Sequence, residues 1–68
     1  MSDISTLFAK RVKETRLRRK MSQGDLAKAL GVHPSYISGI ERGIRNMTLK
    51  NIARLAKSLG VAVGDLVE

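Results

Sequence analysis

A chain of 68 residues with a formal net charge of +7 and no cysteine has room for one small core and no disulfide or thiolate metal site to reinforce it. Phe8 and Tyr36 are the only aromatic side chains in a sequence that is 43% apolar, so the core falls to Leu, Ile, Val, Ala and Met, the usual components of packed helices. A single histidine, no cysteine and six scattered acids supply no nucleophile with its base and no metal-ligand set. An enzyme, a metal site and a cofactor are therefore not expected.

No apolar run approaches the roughly 18 residues that a bilayer span needs, and Met1-Ser2-Asp3 lacks the basic-then-apolar order of a secretory signal, so a cytoplasmic protein is expected. Thirteen Lys and Arg against six Asp and Glu imply an anionic partner. Seven of those cations fall between Lys10 and Lys20, opposed only by Glu14; a solvated helix face is the plain alternative for such a run. As a membrane anchor the same segment is poor, because its apolar stripe is thin and carries no Trp.

From about Ile4 to Arg19, Phe8, Val12 and Thr15 repeat at helical spacing and predict a first helix. Ser22 opens a second with a capping signature. Its hydroxyl can accept from the Asp25 amide, Asp25 can reach back, and Met21 can staple onto Leu26. Leu26, Ala27 and Leu30 form the inward side, and Gly31 supplies the left-handed exit. Pro34 suits the first position of a third helix with His33 as its cap; Ile37 and Ile40 face inward and Gly43 stops it. Thr48 begins a fourth helix, ended by Gly60, on which Leu49, Ile52, Ala53, Leu55, Ala56 and Leu59 give a wide apolar face. A short fifth turn or helix covers Gly64 to Val67. The gaps are only a few residues long, so a single domain over 1–68 is expected.

Residues 22–43 are then two short helices joined through Gly31-Val32-His33, a helix-turn-helix. Ala27 lets the two helices cross closely, Val32 plugs the turn, and Ile37 and Ile40 anchor the second helix. Its outer stripe, Ser35, Ser38, Gly39 and Arg42, is left free to enter a DNA major groove, which is roughly 12 Å wide.

The segment Met21 to Gly43, with Ser-Gln-x-x-Leu-Ala at its start and Tyr-Ile-Ser-x-Ile-Glu-x-Gly in its second helix, resembles the Cro and phage-repressor-like helix-turn-helix family. Arg45-Asn46, the Thr48 helix and Leu59-Gly60-Val61 extend the likeness over nearly the whole chain. Within the family, Tyr36 to Asn46 with Leu49 and Lys50 looks most like the controller proteins of restriction-modification systems. The resemblance implies an all-α, compact five-helix domain of lambda-repressor-like type in the prokaryotic cytoplasm, binding double-stranded DNA as a transcriptional regulator. It also implies that Gln23 bonds a phosphate at the helix 2 N-terminus, with Ser22 beside it. By the same resemblance Arg16 is expected to pair with Glu41, with structure ahead of DNA contact, and Arg42, Arg45 and Asn46 to ride on the phosphate chain. Arg45 could equally stand as a free surface cation.

Base reading falls to Ser35, Tyr36 and, more weakly, Ser38. Tyr36 could instead lie along the hydrophobic seam. His33 is a cap or phosphate contact rather than a metal ligand. Controller proteins usually carry an arginine where this chain has Pro34, and phage repressors a long polar side chain where it has Gly39. With those readers missing, DNA shape and bending are expected to carry more of the sequence choice.

A monomer of this size reaches only one half-site, so the family's two-fold homodimer on inverted half-sites about one DNA turn apart is expected. Val61, Val63, Leu66 and Val67, within residues 60–68, are the expected interface; the alternative is that they cover the open end of the core. RNA polymerase, or a toxin if the chain is an antitoxin of this fold, would be a further protein partner.

Overall fold

The computed structural model describes residues 4–45 and 47–68, and the elements within them are five helices: α1 (Ile4–Arg18), α2 (Gln23–Leu30), α3 (Pro34–Glu41), α4 (Leu49–Leu59) and α5 (Gly64–Val67). No strand occurs among the described residues. Each start has a local cause. Ser22 accepts the Asp25 amide at 2.9 Å while the Asp25 carboxylate accepts the Ser22 amide at 2.9 Å, the reciprocal box that opens α2. His33 caps α3 ahead of Pro34, and the Thr48 hydroxyl accepts the Asn51 amide at 3.2 Å to open α4.

The exits are equally regular. Gly31 and Gly60 take the left-handed conformation, at φ 79° and 72°, and the next residues, Val32 and Val61, donate back to Ala27 and Ala56. This paired return bond satisfies carbonyls that a helix end leaves open. α1 ends the same way with Lys20 in the left-handed position, at φ 57°, so that it stops at Arg18 rather than Arg19. Two carbonyls at these exits receive arginines from elsewhere: Arg54 Nη2 donates to Leu30 O at 2.9 Å and Arg19 Nη2 to Gly60 O at 3.0 Å.

α2 packs on α3 and α4, while α1 packs on α3 and α5. Phe8, Val12, Leu26, Ala27, Leu30, Ile37, Ile40, Leu55, Ala56, Leu59 and Leu66 form one buried cluster, with Met21, Val32 and Tyr36 partly buried against it. Burying each large aliphatic side chain contributes about 1.5–3 kcal/mol, which makes the packing rather than helix propensity the source of stability.

Two expectations about apolar surfaces need correction. The α4 face is narrower than its spacing predicts: Leu55, Ala56 and Leu59 are buried and Ile52 half-buried, but Leu49 is 74% exposed and Ala53 also faces solvent. The neighbours of α4 cover only one side of it. Leu66 is expected at a dimer interface, yet it is fully buried within its own chain, as an α5 side chain in the shared core, and has no surface to offer. Val61, Val63 and Val67 are partly buried against that core.

Candidate nucleic-acid interface

The α2–α3 unit is held by a buried charge. Arg16, at the C-terminal end of α1, donates from Nε to Glu41 Oε2 at 2.6 Å and from Nη2 to Oε1 at 3.0 Å, a fork-to-fork pair. Its remaining arm, Nη1, donates to Met21 O at 2.8 Å just before α2. Gln23, the first residue of α2, joins the same carboxylate through Nε2 at 3.2 Å. Only 8% of the Arg16 side chain and 4% of that of Glu41 is exposed, so the pair is shielded from salt. The hydrogen bonds to Glu41 push the Arg16 pKa above its ordinary value, and burial opposes them. The end of α1, the start of α2 and the end of α3 thus meet at one carboxylate.

Around this brace the expected contact residues take definite positions. Gln23 has one amide hydrogen committed to Glu41, leaving a second for an outside acceptor. Ser22 spends a lone pair of its hydroxyl on its cap. The Asp25 carboxylate lies in the same first turn and is the one negative group there. His33 Nδ1 accepts the Ser35 amide at 3.1 Å and lies 2.9 Å from the Ser35 hydroxyl. With Nδ1 as acceptor, the neutral ring carries its proton on Nε2. A Ser35 hydroxyl that donates to Nδ1 faces a base as an acceptor only. Ser35 is exposed, Ser38 and Tyr36 are half-buried, and Arg42 and Arg45 are exposed beyond the helix. Asn46 lies outside the described residues.

Gly39 does not stand open on the outer stripe. It is buried, because the aliphatic stem of Arg45 runs over it: a Cβ at residue 39 would lie 2.9 Å from Arg45 Cγ and 3.3 Å from Nε. The Arg45 guanidinium carbon then sits 4.9 Å from the centre of the Tyr36 ring, within cation–π range. Sequence reasoning missed this contact, and only the absence of a side chain at residue 39 hinted at it. It also missed the two cross-helix caps from Arg19 and Arg54, which join residues 41 and 24 positions apart and carry no local signal.

The helix-turn-helix family model matches residues 12–66. The chain belongs to the helix-turn-helix family. It is 44% identical over 68 residues to the control protein C.BamHI of Bacillus amyloliquefaciens, covering 98% of this chain and 84% of that protein. The solved restriction-modification controller protein C.AhdI from Aeromonas hydrophila superposes with a TM-score of 0.85 at 39% identity, over 90% of this chain and 92% of that one. A hydroxypropylphosphonic acid epoxidase from S. wedmorenis superposes with a TM-score of 0.93 at 33% identity, over all of this chain but only 36% of that one. The likeness to the epoxidase therefore concerns a helical part of a longer chain. With the controller proteins among its relatives and the reading helix braced in place, this chain is a DNA-binding transcription regulator. No helix among its described residues is long and apolar enough to cross a membrane.

Proposed function

We propose that the regulator is a controller-type protein that binds inverted half-sites of double-stranded DNA as a homodimer in the bacterial cytoplasm, with no catalytic role. The observation that carries this reading is the rigid mounting of α3: its C-terminal end is fixed through Glu41 to α1 and α2, while Ser35 and the N-terminal half of its outer side stay accessible. In this mode the recognition helix offers its N-terminal residues to base edges. Ser35, Tyr36 and Ser38 face the bases. Ser22 and Gln23 meet a phosphate at the start of α2, with His33 through Nε2–H, Arg42 and Asn46 on the flanking backbone.

The dimer surface combines Val61, Val63 and Val67 with the exposed Leu49 and Ala53 of α4; an unpaired leucine at 74% exposure is the apolar group that a second copy would cover. The test is selection of bound duplexes from a random-sequence library at physiological salt with competitor DNA present. Recovery of paired inverted half-sites is expected. Steeply salt-sensitive binding with no enriched sequence would overturn the reading.

A further inference from the structure

We propose that the cleft between α2 and α4 is a binding site for a small organic phosphate. The cleft holds about 460 Å³ and is lined by Ala29, Leu30, Arg54, Lys57 and Ser58, a volume within the range of small-molecule sites. None of the side chains assigned above to DNA or to the dimer surface lines it. On α4, Arg54, Lys57 and Ser58 lie three and four residues apart and so share one side of the helix, facing the last turn of α2 across the cleft.

The C-terminal end of a helix ordinarily repels an anion, because its open carbonyls carry partial negative charge. Here that end is covered. The amides of Gly31 and Val32 return to Ala27 and Lys28, and Arg54 Nη2 donates to Leu30 O at 2.9 Å. The same bond fixes the guanidinium at the cleft and leaves its other N–H groups to donate to a ligand. No carboxylate among the described residues pairs with Arg54 or Lys57, so the α4 wall carries uncompensated positive charge. A phosphate monoester at neutral pH is close to doubly negative. It can take a fork of N–H donors from Arg54, the point charge of Lys57 and the hydroxyl proton of Ser58. Ala29 and Leu30 give the cleft an apolar edge for a short carbon body. A ligand held there bridges α2 to α4 and stabilises the folded chain by mass action.

The experiment titrates the isotope-labelled full chain with propyl phosphate and with inorganic phosphate, follows the backbone amide shifts, and repeats both titrations on Lys57→Ala and Ala29→Glu. Both positions are exposed and both replacements are good helix formers, so the fold is retained. The carboxylate of Ala29→Glu takes the place of the anion opposite Arg54 and Lys57. Saturable shifts at residues 29–31 and 54–58 are expected in the wild type, with propyl phosphate bound more tightly than inorganic phosphate. Lys57→Ala should weaken propyl phosphate by about tenfold. Ala29→Glu should abolish saturation, together with the rise in thermal midpoint that propyl phosphate gives the wild type. If the shifts gather instead at residues 22–25, the phosphate has taken the start of α2 and the proposal falls. Shifts at the cleft that grow linearly, and that chloride reproduces, would also overturn it, as a screened surface. Saturation that persists in Ala29→Glu places the ligand elsewhere, and equal affinity for the two probes overturns the organic class.

Discussion

At φ 57° Lys20 holds a backbone conformation that costs an L-residue with a Cβ about 1 kcal/mol and glycine almost nothing. Lys20→Gly should therefore raise stability by about 0.5–1 kcal/mol in urea denaturation, with helix content unchanged. The same position shows why sequence reading overran α1 by a residue. The exits of α2 and α4 carry glycine and are legible, whereas the exit of α1 is written with a lysine, which carries no stop signal. A second residue-scale effect is titratable. The hydrogen bond from the Ser22 amide, and then the Ser22 hydroxyl, hold the Asp25 carboxyl below its ordinary value. A carboxyl whose pKa is depressed on folding contributes stability that is present above its unfolded pKa and is lost as pH falls through the folded one. Acid titration of stability should show this loss below the ordinary aspartate range, and Asp25→Asn should remove that part of the slope.

The helix starts were the most legible elements, because Ser22, His33 and Thr48 each act on an amide two or three residues ahead and local spacing is what a sequence displays. His33 is the unusual member, with an imidazole nitrogen in place of a hydroxyl or carboxylate oxygen. His33→Ala should cost about 1 kcal/mol of stability and loosen the first turn of α3, whereas His33→Asn should restore most of it; thermal unfolding of the three proteins checks this. The width of the α4 face was not legible. Periodicity shows which residues share a side, but how many of them are covered depends on neighbours contributed from elsewhere, and these leave Leu49 largely exposed. The caps from Arg19 and Arg54 were invisible for the same reason: a surface arginine and one that reaches a distant carbonyl look alike in one dimension.

On the scale of the whole molecule, the Arg16–Glu41 pair is where a single change should do most damage. Arg16→Ala leaves a buried carboxylate without its partner, at a cost of about 3–5 kcal/mol, comparable with the whole stability of a domain this small. The double variant Arg16→Met, Glu41→Leu should recover much of that loss in chemical denaturation, since no charge is then stranded. The pairing was read from resemblance, but the arrival of Gln23 at the same oxygen was not, because a phosphate had been assigned to it. Association is the other whole-molecule property. Leu49→Glu should leave helix content intact and shift sedimentation equilibrium toward the monomer, because this side chain is largely exposed on its own chain. The shared carboxylate also has a kinetic consequence. With α1, α2 and α3 tied to it, opening one of them breaks bonds held by the others, so the hydrogen-bonded amides in the interiors of α2 and α3 should show similar protection against deuterium exchange. A head of that kind searches DNA as a rigid body, and what differs between one site and the next must be borne by its side chains and by the duplex.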